Sequence, residues 1–228
     1  MHLENFDMRS KNLALKREIQ TIIDSTGDPY CVKENYISRH VNLDWWHGHL
    51  NYVIFKETYS LMGDIIGDFG CNHGLNTILL SQIASNSNII GIDMNRLAID
   101  KAIENVSMYG ATNTNFFCSR LEKMSFICDN YFTGGYMMDV LEHIYTKDRI
   151  KLFNELKRVM RKDSKLMIIT PYGKNDNVHH VDFFNEKKLK QIVLMNNFEI
   201  LYCQHDLRYN LRGKKQNRLN ILIKINKD

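Results

Sequence analysis

The chain has 228 residues, 25% of them charged and 44% hydrophobic, with a formal net charge of +4; these values exclude a disordered or fibrous chain and suit one domain better than two. No run of about 18 apolar residues occurs and the N-terminal stretch is polar and mixed in charge, so neither a membrane span nor a secretory leader is expected, and a cytoplasmic location is. Cys31, Cys71, Cys118, Cys128 and Cys203 are an odd, scattered set without a Cys-x-x-Cys pair, which argues against a disulfide framework and a cysteine zinc site.

Residues 1–60 contain no strand-like run. Leu13, Leu15, Ile19, Ile22 and Ile23 recur at helical spacing, and the pattern breaks at Gly27-Asp28-Pro29, which predicts a helical N-terminal cap. From Asp64 onward, apolar runs of strand length alternate with amphipathic stretches, the pattern of βαβ units in a mostly parallel sheet. Strands are predicted at Asp64–Phe69, Asn88–Met94, Thr114–Cys118, Gly134–Val140 and Lys165–Thr170. Helices are predicted at Leu75–Ala84, Asn95–Tyr109, Arg149–Arg161 and Glu186–Met195. In Arg149–Arg161, Phe153, Leu156, Val159 and Met160 share a face, and Gly110 stands where a C-terminal cap would close Asn95–Tyr109.

Phe198–Leu207 and Arg218–Ile225 read as two further strands. The linker between them, Arg208–Asn217, is too short for a helical crossover, so they are expected to pair antiparallel. The expected fold is therefore α/β and Rossmann-like: a mostly parallel seven-stranded sheet with a C-terminal antiparallel hairpin and a helical N-terminal cap. Dinucleotide-binding dehydrogenases carry a sixth parallel strand instead of the hairpin. Between Asp206 and Asp228, seven basic residues face two acidic ones; such a tail is either an electrostatic contact for an anion such as nucleic acid or a solvated face.

The central feature is Ile65-Ile66-Gly67-Asp68-Phe69-Gly70-Cys71-Asn72-His73-Gly74, a strand running into a glycine-bearing turn and then a helix. Without a Cβ, Gly70 and Gly74 let a ligand approach the backbone, and open α/β sheets bind ligands at such carboxyl ends of strands. Asp68 is there the natural partner of a cationic amine. The next strand ends in Gly91-Ile92-Asp93-Met94, with a carboxylate about 20 residues past the turn, the spacing of an acid that accepts ribose hydroxyls. A nicotinamide dinucleotide site shares that spacing.

The turn resembles the first motif of class I methyltransferases, acid-x-Gly-x-Gly-x-Gly, with Asn72 at the middle glycine; asparagine tolerates left-handed backbone angles well. The resemblance runs from Asp64 to Phe198. It implies S-adenosylmethionine as cofactor and S-adenosylhomocysteine as product. Asp68, Gly70, Cys71, Asn72 and Gly74 would hold the methionine part, Asp93 the ribose, and Met94 would lie against adenine. Ser119 to Phe126, with Arg120 and Leu121, is similar to the family's adenine loop. Arg120 occupies the place of an acid, and an arginine cannot accept the adenine amino group's hydrogen bond. Met138-Asp139-Val140-Leu141-Glu142-His143 resembles the Asp-Val-Leu-Glu-His segment of many small-molecule methyltransferases, ubiquinone-pathway O-methyltransferases among them, and places Asp139 in the cofactor pocket.

The resemblance implies that residues 61–228 are an S-adenosylmethionine-binding domain that methylates a hydroxyl or amine of a small-molecule acceptor, in sugar or secondary metabolism. Methyl transfer from a sulfonium needs alignment of donor and acceptor and an outlet for a proton. His143 is the candidate base, since an imidazole pKa of about 6.5 suits that task; capping the next helix is its other reading. Tyr172, His179 and His180 are expected over the acceptor. Trp46, within Trp45-Trp46-His47-Gly48-His49, is expected as a lid or acceptor contact, or as an anchor of the cap. Asp139, Glu142 and His143 also have the spacing that, with Glu first, ligates a divalent ion in some ubiquinone-pathway and small-RNA 3′-end methyltransferases. His179 or His180 would add a ligand. The same letters stand in methyltransferases without metal. Two alternatives remain open: RNA methylation through the basic tail, and a non-catalytic module binding cofactor and a partner protein, suggested by Asn72 and Arg120.

Overall fold

The structure is a computed structural model that describes residues 54–173, 180–206 and 217–227. Trp46, His179, most of the predicted cap and the basic residues Arg208, Arg212, Lys214 and Lys215 lie outside the described residues. Residues 54–58 are helical and run into a 3-10 turn, Tyr59–Leu61. There follow β1 (Ile65–Phe69), α1 (Leu75–Ile83), β2 (Asn88–Asp93), α2 (Arg96–Tyr109), β3 (Thr114–Cys118) and β4 (Phe132–Met138). A 3-10 turn (Leu141–His143), α3 (Thr146–Val159), β5 (Met160–Pro171), α4 (Glu186–Met195), β6 (Glu199–Asp206) and β7 (Arg218–Lys224) complete the chain.

The seven strands form one sheet in the order β3-β2-β1-β4-β5-β7-β6. The first five run parallel, and β7 pairs antiparallel with both β5 and β6. The hairpin is the expected one, and residue character decides which of its strands lies inside. Along β7, Leu219, Asn220, Ile221, Leu222 and Ile223 are all buried, as a strand covered on both faces requires. In β6, Glu199, Leu201 and Gln204 are exposed, so that strand takes the edge. The order reverses between β1 and β4, which opens a crevice at their carboxyl ends.

Boundaries differ from expectation where a local device intervenes. Asp139 adopts φ +55° and ends β4 before Val140. Helix α3 begins at Thr146, one turn ahead of the predicted Arg149, and buries Arg149 along with Leu152, Phe153, Leu156 and Val159. Met160 leaves the helix to pair with Phe132, starting β5 early. The predicted C-terminal cap of α2 is present, Gly110 closing the helix at φ +66°, and Asn95, expected inside the helix, instead caps its start, its Oδ1 accepting from Leu97 and Ala98 N–H.

Apolar residues fill both faces of the sheet. One core joins Phe69, Phe153, Leu156, Leu189, Val193 and Ile221; the other joins Ile54, Phe55, Ile66, Leu80, Tyr136 and Leu222. The site therefore stands on a frame packed from two sides. Among the described residues no helix is long and apolar enough to cross a membrane.

Candidate active site

The turn after β1 is tied down before any ligand arrives. Gly70 and Cys71 both donate backbone N–H to the Ile92 carbonyl, at 2.8 and 3.1 Å, which fastens the turn to the end of β2. Gly70, Asn72 and Gly74 take φ of +87°, +49° and +73°, so Asn72 occupies the left-handed conformation expected of it. A Cβ on Gly70 would meet Val140 Cγ2 at 2.3 Å, and one on Gly74 the Phe116 ring at 2.5 Å. Gly74 also starts α1 without a side-chain cap or an acidic residue in the first turn, which leaves the positive helix end to the pocket.

Asp93 sits between two backbone donors. Its Oδ2 accepts from Asn72 N–H and its Oδ1 from Asn95 N–H, both at 2.9 Å. A carboxylate carries two lone-pair sites on each oxygen, which suits this residue type to hydroxyl donors. Met94 follows, 65% exposed, with its side chain available to a planar ring. Asp68 is placed differently. Its buried carboxylate accepts from Thr77 Oγ1 at 2.6 Å. Burial pushes its pKa up to about 6, against the Thr77 hydrogen bond and with help from the Asp93 charge.

A pocket beside the turn is lined by residues 70–73, Leu75, Asn76, Met138 and Asp139. Four expected residues thus meet there: Gly70, Cys71, Asn72 and Asp139. The Cys71 side chain is buried, and burial raises its thiol pKa well above the usual value. His73, Leu75, Asn76 and Met138 were not anticipated; adjacency to the turn and to the end of β4 is the signal that could have found them. In the loop after β3, Arg120 pairs with Glu122 at 2.8 Å, while Leu121 is buried in the core that includes Met124 and Ile127.

Past β4 lies a second group of side chains. Glu142 is 1% exposed; its Oε2 accepts from Thr170 Oγ1 at 3.2 Å, and its Oε1 is buried without a hydrogen-bond partner. Burial pushes its pKa up to about 8, opposed by hydrogen bonds from its own backbone and from Thr170. The His143 and His180 rings meet edge to face with centroids 4.8 Å apart. One ligand atom from each of Glu142, His143 and His180 lies within 4.8 Å of the others. Asp139 is absent from that group and instead pairs with Arg218. Tyr172 stacks on His205 at 3.9 Å.

Residues 66–163 match the family described as methyltransferase domain. That span holds the turn, Asp93, Asp139 and His143. That match spans less than half of the chain, and this segment is similar to a methyltransferase domain. Among solved structures this chain is similar to an S-adenosylmethionine-dependent methyltransferase from Aquifex aeolicus, at 19% identity over 92% of this chain and 98% of that one, with a TM-score of 0.65. It is also similar to geranyl diphosphate C-methyltransferase from Streptomyces coelicolor, in complex with Mg2+, geranyl diphosphate and S-adenosyl-L-homocysteine, at 11% identity over 78% and 81% with a TM-score of 0.62. The cyclase SpnF matches at 14% identity over 79% and 81%, with a TM-score of 0.66. At such identities the likeness is one of fold, and the cyclase illustrates that this fold hosts other reactions. No curated protein matches the sequence.

The basic tail is partly committed to internal partners. Arg218 is buried against Asp139, Lys224 pairs with Glu199, and Lys227 binds the Asn130 side chain. These three cations stabilise the hairpin end of the sheet and offer little to a polyanion.

Proposed function

We propose that this chain transfers the methyl group of S-adenosylmethionine to a hydroxyl or amine of a small-molecule acceptor, with His143 as general base. The observation that carries this reading is the ring contact of His143 with His180, on the segment of chain that follows the pocket-lining Met138 and Asp139. Asp93 would hold the ribose of S-adenosylmethionine and residues 70–76 its methionine part, and the bound sulfonium would supply the activated methyl group. The acceptor oxygen or nitrogen attacks the methyl carbon, the carbon–sulfur bond breaks, and its electron pair stays on sulfur, giving S-adenosylhomocysteine. The acceptor's proton passes to the imidazole of His143. Tyr172 and His180 then belong to the acceptor side.

The test is mass-spectrometric detection of methylated product with S-adenosylmethionine over a panel of sugars and secondary metabolites. With an acceptor found, His143→Ala is expected to lower kcat about 100-fold while S-adenosylhomocysteine binding stays unchanged. Turnover equal to wild type would remove His143 from the mechanism.

A second reading has an observation of its own, the buried Glu142 Oε1 without a partner beside two imidazoles. Two histidines and one carboxylate suit a divalent ion such as zinc or iron(II). In that case Glu142, His143 and His180 would hold the ion, which would lower the pKa of an acceptor hydroxyl. Calorimetric titration with Zn2+ separates the two readings: micromolar binding abolished by Glu142→Gln favours the ion, and no heat of binding favours the free base.

A further inference from the structure

His180 is brought to His143 by long-range contacts that converge on one side chain. Its chain neighbours Val181 and Asp182 both donate backbone N–H to the Glu142 carbonyl, at 2.9 and 3.3 Å. The Asp182 carboxylate accepts from Phe183 N–H at 2.8 Å, pairs with Lys188, and meets Arg149 Nη1 at 2.7 Å. Arg149 lies in the first turn of α3, and its Nε donates to the carbonyl of Ile144 at 3.1 Å. Ile144 directly follows His143. One guanidinium therefore holds the residue after the first histidine and the second residue after the other.

The burial of Arg149 makes this more than a surface contact. Only 4% of the residue is exposed, and its guanidinium lies 5.1 Å from the centroid of the Phe184 ring. A charge taken this far from water persists only where carboxylate and carbonyl partners compensate it. Asp182 answers in kind: burial raises its pKa, but the hydrogen bonds from Lys188 and Arg149 outweigh burial and hold the carboxyl below its usual value. The Tyr172–Phe184 bridge and the bond from Gly173 N–H to the Phe184 carbonyl, at 2.6 Å, secure the far end of the same segment.

We propose that Arg149 is a positioning residue: by joining Asp182 to the Ile144 carbonyl it sets the apposition of His180 and His143, and with it the geometry of the acceptor side. The functional weight of this inference rests on the reading of His143 as base or ligand; the geometric claim does not. Arginine is needed because its planar fork makes both contacts at once, which an ammonium group does not reproduce.

The experiment is nuclear magnetic resonance on the full chain with labelled histidine. It reads Overhauser effects between the imidazole C–H protons of His143 and His180, together with hydrogen exchange of the Val181 amide. Arg149→Met is expected to abolish the cross-peaks and to speed Val181 exchange at least tenfold, while exchange at β1 and S-adenosylhomocysteine affinity change less than twofold. Arg149→Lys should fail to restore the cross-peaks. Asp182→Asn attacks the same link from its other end and serves if Arg149→Met does not fold. Cross-peaks and Val181 protection that persist in the folded variants overturn the proposal. Activity that persists in His143→Ala would instead defeat the base reading and leave the positioning result standing.

Discussion

Arg218, the first residue of β7, reaches across β5 to pair with Asp139, the residue that ends β4 at φ +55°. The pair joins the terminal hairpin to the wall of the pocket beside the turn after β1. Arg218 has a side-chain exposure of 4% and Asp139 of 26%, so its strength lies between that of a buried and a surface ion pair. Arg218→Met should cost about 1–3 kcal/mol of folding stability, read by urea denaturation, and should weaken S-adenosylhomocysteine binding a few-fold. Asp139→Asn should cost less, because its amide oxygen still accepts a hydrogen bond. Stability within about 0.5 kcal/mol of wild type in Arg218→Met would mean that the pair is only a contact.

Asp93 holds the turn and, in the proposed mode, the ribose. Calorimetry with S-adenosylhomocysteine should show Asp93→Ala losing about 1.5–3 kcal/mol of affinity, at least tenfold. Asp93→Asn should retain part of it, since one oxygen remains to accept. Equal affinity in all three proteins would place the cofactor elsewhere.

Asn72 stands at φ +49°, where glycine carries no strain and a β-branched residue much. Asn72→Gly should therefore bind S-adenosylhomocysteine like wild type, within about 0.5 kcal/mol, whereas Asn72→Val should lose about 1–2 kcal/mol of stability. Thermal unfolding of the pair of variants is the check, and a stable valine variant would show that the turn relaxes freely.

Two buried carboxyls make stability fall as pH rises. Asp68 goes from 3.8 to about 6 and Glu142 from 4.5 to about 8 on folding. Between each pair of values the folded chain keeps a proton that the unfolded chain has released. Each contribution is therefore complete below the unfolded pKa and is lost as pH rises through the folded one. The window is about pH 4 to 6 for Asp68 and about pH 4.5 to 8 for Glu142. Urea denaturation with a chelator present should show Glu142→Gln more stable than wild type at pH 8 by roughly 1–3 kcal/mol, with the difference gone at pH 4. A wild-type stability that does not change across this range would mean that Glu142 stays ionised when buried.

Much of the frame was legible before folding. Seven strands and four helices fall where apolar runs and helical spacing place them, and Gly110 and Asn72 adopt the left-handed backbone expected of those residue types. Apolar character extends β4 through Val140, because Asp139's left-handed backbone has no sequence signal as clear as glycine's. The buried face of α3 was read without Arg149, since periodicity marks apolar residues and passes over a cation that finds a carboxylate.

The site divides in the same way. The turn from Asp68 to Gly74 and the acid at Asp93 were recognisable because residue type and spacing are set over a short stretch of chain, where backbone conformation alone demands them. Whether Asp68 faces a ligand or Thr77, whether Arg218 meets a polyanion or Asp139, and which histidine meets His143 were decided only by tertiary structure. A side chain's partner depends on which distant segments the sheet order brings together and how deeply they are buried, and local sequence carries neither quantity.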